Sequence, residues 1–162
     1  MSELHPIFAE CCTLRCYPYN LSQPFERDGQ VYAADGQILV RHTGPGPVRV
    51  AEPRGRVPNV APVIEEASKV RRVAVALPTP EAWREDGQAI VIRNAPRYAL
   101  STGHVRLLLR HGVSEVEIPE QMAPFTDQTG RGKPEHTCYF RGDGFEGWLM
   151  PMVVVEPVEA TN

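Results

Sequence analysis

Apolar residues first recur at helical spacing near the start of the chain. Leu4, Ile7, Phe8 and Cys11 stand at i, i+3, i+4 and i+7, which predicts a helix from Glu3 to about Cys12 burying them as one stripe. Ser2 is placed to cap it, Pro6 is tolerated in its first turn, and Cys11 becomes a core position. Thr13 to Tyr17 reads as a short strand that Pro18-Tyr19-Asn20 interrupts. Val31 to Ala34 and Gln37 to Arg41 then flank Asp35-Gly36, a hairpin signal because glycine takes positive φ readily. From Thr43 to Pro62 the pattern is lost. Gly44-Pro45-Gly46-Pro47 and Glu52-Pro53-Arg54-Gly55-Arg56 fix φ and remove donors, so an irregular connection is expected at about 43–62.

Helical spacing returns in Val60, Val63, Ile64 and Ala67, predicting a second helix from about Asn59, its cap, to Ser68. Val73 to Leu77, Ala89 to Arg93 and Arg97 to Leu100 read as strands, separated by turn-rich Pro78-Thr79-Pro80 and Asp86-Gly87. Ser101 or Thr102 can cap a third helix that runs to His111, stops at Gly112, and carries Val105, Leu108 and Leu109 on a narrow apolar face. Ser114 to Ile118 alternates, with Val116 and Ile118 on one side and Glu115 and Glu117 on the other. After a polar loop from Ala123 to Pro134, a closing hairpin is expected from His136 to Arg141 and from Glu146 to Val154, around Gly142-Asp143-Gly144. Pro151 fits an edge or a bulge there.

The order helix, strand, strand, Asp-Gly, strand therefore occurs in residues 3–41 and again, with one strand before the helix, in residues 97–154. Consecutive antiparallel strands accompanied by helices predict an α+β layered fold rather than a parallel α/β sheet. The length falls within the usual size of one domain, so a single domain over 1–162 is expected, with a core that needs no metal or disulfide staple.

Two stretches carry a family resemblance. Val31-Tyr32-Ala33-Ala34-Asp35-Gly36-Gln37-Ile38-Leu39 resembles the sliding-clamp stretch in which an alanine-threonine-aspartate-glycine turn precedes an apolar strand. Gly147-Trp148-Leu149-Met150-Pro151-Met152 resembles the Met-Pro-Met strand that ends the bacterial DNA polymerase III β subunit. The resemblance to the DNA sliding clamp family implies a DNA-clamp-like domain of two β-α-β-β-β units with helices on one face of antiparallel sheets. It also implies a role in DNA replication. A clamp ring closes from several such domains, whereas this chain has the length of one, so a ring would need self-assembly or a partner.

Charge narrows the functional classes. A formal net charge of −3 argues against coating nucleic acid through overall charge and leaves only a local basic surface. Arg106 and Arg110 lie four apart on the third predicted helix, with His104 and His111 near its ends. If the helix faces duplex DNA, as the resemblance implies, these side chains would meet phosphates without reading sequence. Arg71 and Arg72, with Arg54, Arg56 and Lys69, form a second basic concentration that would extend a DNA-binding surface, or, offset by Glu52, Glu65 and Glu66, serve as exposed charges on a loop and a helix end. The opposing reading is a solvated helix face and a protein-interaction adaptor that uses the fold without DNA, with the proline-rich segment as its contact surface.

Other chemistry finds less support. Cys11, Cys12, Cys16, His136 and Cys138 are zinc-ligand types, but no Cys-x2-Cys pair is present and Cys11 belongs to the apolar stripe, so reduced thiols and no metal are expected. Gly130-Arg131-Gly132-Lys133 lacks the leading glycine and the trailing Ser or Thr of a phosphate loop, Asp127 and Pro134 standing in those places. Ser101, Thr102 and His104 lack an oriented acid, and Glu65-Glu66 and Glu115-Glu117 read as exposed faces. No catalytic constellation emerges, so a non-enzyme without cofactor is expected. No run approaches the roughly 18 apolar residues of a membrane helix, and the first residues lack a signal pattern; a cytoplasmic, membrane-free protein is expected.

Overall fold

Alternation along the strands decides which side of the sheet each residue faces, and two separate cores result. The computed structural model describes residues 3–13, 18–85, 87–92, 98–120 and 133–152. Its elements in order are α1 (Ile7–Glu10), β1 (Phe25–Arg27), β2 (Gln30–Ala34), β3 (Ile38–His42), α2 (Ala61–Ser68), β4 (Arg72–Ala76), β5 (Gln88–Ile92), β6 (Tyr98–Ser101), α3 (Thr102–Arg110), β7 (Glu115–Pro119), β8 (Cys138–Gly142) and β9 (Phe145–Leu149). Short 3-10 turns lie at Pro80–Ala82 and Pro134–His136. The fold is α+β: a seven-stranded antiparallel sheet in the order β1-β2-β3-β9-β8-β7-β4, with β5 and β6 forming a separate hairpin.

Taken inward from β1 and from β7, this order is first, second, third strand of one meander meeting third, second, first of another. The seam is the antiparallel pair β3 and β9, in register from Ile38↔Leu149 to His42↔Phe145, with Val40 opposite Gly147 at its middle. The meanders can close there because position 147 has no side chain. A Cβ at Gly147 would stand 2.4 Å from the Leu39 carbonyl oxygen and 2.4 Å from Phe140 Cζ. Each meander turns at an Asp-Gly pair, with Gly36 at φ 96° and Gly144 at φ 88°, where a side chain would strain the backbone.

On one face, Val31 and Ala33 of β2, Ile38 and Val40 of β3, and Phe145 and Leu149 of β9 are buried under Ile7, Phe8 and Cys11 of the first helical stripe and Val105, Leu107 and Leu108 of α3. On the other face, Tyr32, Ala34, Leu39 and Trp148 pack against Val60 and Ala67 of α2 and against Leu21 and Phe25. The two helices of the repeated pattern therefore share a face, and α2 covers the opposite one. This corrects the expectation of helices on a single face: the apolar stripe of α2 is matched to the even-numbered positions of β2 and β9, not the odd ones.

Several boundaries move for local reasons. The α-helix of the first stripe is confined to Ile7–Glu10, and its start is held by His5, whose Nδ1 accepts the Ile7 N–H at 3.1 Å. Ser2 and the proposed strand residues 14–17 lie outside the described residues, and Thr13 bridges to Leu21 instead. The irregular segment ends earlier than Pro62, because Ala61 and Pro62 already form the first turn of α2, where a missing N–H costs nothing. Val60, not Asn59, is the N-cap, and neither helix α2 nor α3 receives a side-chain cap. β1 is an added strand that sequence periodicity missed, three residues long and preceded by Pro24.

Candidate functional site

The α1 and α3 face carries the basic residues. Thr102–Arg110 presents Val105, Leu107 and Leu108 to the core, which leaves Arg106 and Arg110 exposed on its outer side. Neither stands alone. Arg106 lies over the Trp83 ring, 5.4 Å from its centroid. Arg110 donates to Glu10 Oε2 at 2.7 Å, and His111 Nε2 meets the same oxygen at 2.7 Å. Those two bonds hold the Glu10 carboxyl below its ordinary range, His111 contributing most and Arg110 next. α1 and α3 are thus joined by a charge pairing that spends much of the positive potential a phosphate would use.

His104 is engaged differently. Its Nε2 lies 2.8 Å from Asp35 Oδ2 in the β2–β3 turn. Burial alone would raise the Asp35 carboxyl. The His104 bond and the backbone N–H groups of Ile38 and Gln37 outweigh it and hold the group below its usual value. At the other Asp-Gly turn no such bond is present, but His5, just before α1, packs on Phe145, the residue that follows Gly144, with ring centroids 4.6 Å apart.

Arg72 is half-buried and donates to the Ala67 carbonyl at 2.6 Å and to the Thr137 carbonyl at 3.3 Å, tying the end of α2 to the entry of β8. Burial lowers its pKa. Arg71 is exposed just before β4. The structure therefore brings Arg110 and His111 together, places Arg106 and His104 in separate contacts on the same helix, and leaves Arg71 and Arg72 at the far edge of the sheet. Arg54 and Arg56 are exposed in the irregular segment, Arg56 with its guanidinium 5.6 Å from the Tyr19 ring centroid.

The thiols lie in apolar surroundings. Burial pushes Cys11 and Cys138 each up to about 12 and Cys12 to about 11, which keeps them protonated and poorly nucleophilic. Among the described residues no group of three or more His, Cys, Asp or Glu is gathered as a metal site would require, and Cys16 lies outside them. Of the phosphate-loop-like run, Gly130, Arg131 and Gly132 lie outside the described residues, and Lys133 is exposed.

A concave feature with largely apolar walls lies on the opposite face. A groove of about 370 Å³ runs between α2 and the end of the β3–β9 seam, walled by Tyr19, Leu21, Val60, Val63, Trp148 and Met150. Its floor follows from strand parity, since Ala34, Leu39 and Trp148 are the second-face residues where three strands end. The backbone N–H of Met150 donates to the Gln37 carbonyl at 2.9 Å, which fixes the chain after β9 against the β2–β3 turn. Trp148 is flanked on its own face: the Arg41 guanidinium lies 5.2 Å from its ring centroid and the Tyr139 ring 5.8 Å away. Glu146 joins those two neighbours, taking an Arg41 Nε–H at 2.8 Å and the Tyr139 hydroxyl at 2.7 Å. Val63 is 38% exposed on the rim.

Sequence reasoning missed this groove. The available signal was Trp148, an aromatic at the β9 position whose strand parity points away from the core that holds Phe145 and Leu149. Comparisons with family models, with curated proteins and with solved structures find no match.

Proposed function

We propose that this chain is a non-catalytic protein-interaction module with a sliding-clamp-like fold, which holds an extended apolar segment of a partner protein in the groove between α2 and β9. The single observation that carries the reading is the groove itself: it is open, apolar, pre-formed, and backed by a tryptophan whose position is fixed by an ion pair and two aromatic or cationic neighbours. A volume of about 370 Å³ suits a few side chains of a peptide rather than a folded surface. The clamp-like part of the reading is supported by the two meanders joined third strand to third strand, with the start of α3 bonded to one Asp-Gly turn and His5, before α1, packed on Phe145 beside the other.

A second reading, duplex DNA along the α1–α3 face, is favoured by one observation, the exposure of Arg106 and Arg110 on the same side of one helix. It ranks below the first because Arg110 is already paired with Glu10.

Selection from a displayed library of short random peptides tests the first reading. The wild-type protein is expected to enrich sequences with two or three closely spaced aliphatic or aromatic residues. Val63→Asp and Met150→Asp, both on the open side of the groove, are expected to lose those peptides by roughly tenfold or more, because each leaves a charge facing an apolar ligand. A wild-type protein that enriches nothing, or peptides that bind both variants unchanged, removes the groove as the functional site.

A further inference from the structure

The two ends of the seven-stranded sheet are built differently, and among the described residues only one of them is protected. β1 is three residues long and reads Phe25-Glu26-Arg27, followed by Asp28. Short length and charge are the usual means of keeping a sheet edge from pairing. β4 is five residues long, carries no charge or proline from Val73 to Leu77, and ends the sheet on the other side. Val73 is 41% exposed, and Ala74 and Ala76 are exposed.

The hydrogen-bond pattern shows which backbone groups the free side of β4 offers. Leu77 N–H donates to the Ser114 carbonyl and Glu120 N–H to the Arg71 carbonyl, both at 2.8 Å, at the two ends of the β4–β7 pair. Alternation then commits Val73 and Val75 to β7 as well, since antiparallel strands bond at every second residue. Arg72, Ala74 and Ala76 direct their N–H and C=O groups outward, and among the described residues no strand receives them. Such a row of groups is a pairing template.

We infer that β4 is a dimerisation edge whose partner is β4 of a second copy of this chain, antiparallel about a twofold axis through Ala74. The sequence is self-complementary about that point. Ala74 meets Ala74 of the second copy, Arg72 meets Ala76, and Val73 meets Val75, so every outward-facing backbone group is used at once. The half-exposed Val73 gains an apolar neighbour across the seam on the α1–α3 side. Arg72 brings no repulsion to the junction because its guanidinium is turned back onto the Ala67 and Thr137 carbonyls. An edge that pairs with itself closes at two copies, which separates this arrangement from a head-to-tail ring.

Sedimentation equilibrium of the full chain tests this. A concentration-dependent dimer is expected. Ala74→Pro removes an N–H that points away from β7 and is compatible with an edge strand, so the fold stays while the dimer dissociation constant rises by about tenfold or more. Glu26→Pro on the opposite edge leaves the dimer intact. Ala74→Cys treated with a short bifunctional thiol cross-linker gives a symmetric linked dimer, since directly bonded antiparallel partners lie about 5.5 Å apart at Cα; Ala51→Cys, on the exposed irregular segment, does not. A protein that stays monomeric at all concentrations, a dimer that survives Ala74→Pro undiminished, failure of Ala74→Cys to cross-link, or assemblies larger than two each overturn the inference.

Discussion

His104 Nε2 lies 2.8 Å from Asp35 Oδ2, so the first turn of α3 is fastened to the corner between β2 and β3, residues that stand far apart in the chain. The other oxygen of Asp35 accepts the N–H groups of Gln37 and Ile38 at 2.8 and 2.9 Å, so one carboxylate organises both the corner and the helix above it. Asp35→Ala is expected to cost about 1–3 kcal/mol in urea unfolding, the range for leaving partly buried donors without an acceptor. The pH dependence follows from the direction of the shift. Because the folded carboxyl is held below its unfolded value, its contribution is complete above about pH 4 and is lost as pH falls through the folded value. Asp35→Asn should flatten that acid limb. A wild-type limb retained in Asp35→Asn would assign the effect to another group.

His5 gives a second, separate acid response. Its pKa is lowered, by burial first and by His111 next, against the smaller opposing pull of Asp143 and Glu10. Its Nδ1 accepts the Ile7 N–H, a role only the ring with Nδ1 unprotonated can fill. Protonation is therefore less favourable in the folded chain than in the unfolded one. Stability from this group is full above the unfolded value of about 6.5 and declines as pH falls below it. Hydrogen exchange should show the amides of Ile7 and Cys11 losing protection between about pH 7 and pH 5 before the strands do. Equal loss in all elements would mean that the response belongs to the whole fold and not to the start of α1.

Gly147 sits where the two meanders touch, and its missing side chain is a packing requirement. Gly147→Ala places a methyl 2.4 Å from both the Leu39 carbonyl and the Phe140 ring, and the carbonyl belongs to a paired strand that cannot withdraw. A loss of about 2–4 kcal/mol in thermal or urea unfolding is expected, at the upper end of the overpacking range. Gly103→Ala on α3, whose nearest neighbour would be Ser101 Oγ at 3.5 Å, should be neutral or stabilising by comparison. Comparable losses at both positions would show that the seam is not under special constraint.

The elements with strong periodicity were legible in the sequence, because their burial is decided locally. Ile7, Phe8 and Cys11 fall where helical spacing places them, and the Asp35-Gly36 and Asp143-Gly144 corners turn where glycine permits positive φ. The side of the sheet chosen by α2 was not legible. Its stripe of Val60, Ile64 and Ala67 is apolar enough for either face, and the choice depends on the distant Tyr32 and Trp148. Strand β1 was too short to show a period. The basic residues were legible as charges, but their partners were not: Glu10 is a hundred residues from Arg110 in the chain, and the Arg110–Glu10 bond forms only because the fold brings α1 to the C-terminal end of α3. The groove escaped for the same reason, since its walls come from segments near residues 20, 39, 60 and 148.

The pairing of Arg110 and His111 with one Glu10 oxygen makes a prediction about nucleic acid that separates the two functional readings. A phosphate approaching the α1–α3 face must compete with a carboxylate already seated between the helices, and the exchange gains little when one anion merely replaces another. Wild-type protein is therefore expected to bind a fluorescent duplex weakly in anisotropy measurements, with the signal vanishing near physiological salt. Glu10→Gln removes the competing charge and keeps a hydrogen-bonding side chain of the same length, so affinity at low salt should rise. Arg106→Ala combined with Arg110→Ala should abolish that rise and make the log–log salt dependence shallower by roughly 0.9 for each phosphate that is no longer neutralised. Tight wild-type binding at physiological salt, unchanged by Glu10→Gln but lost in the double arginine variant, would reverse the order of the two readings and make the helix face the principal site.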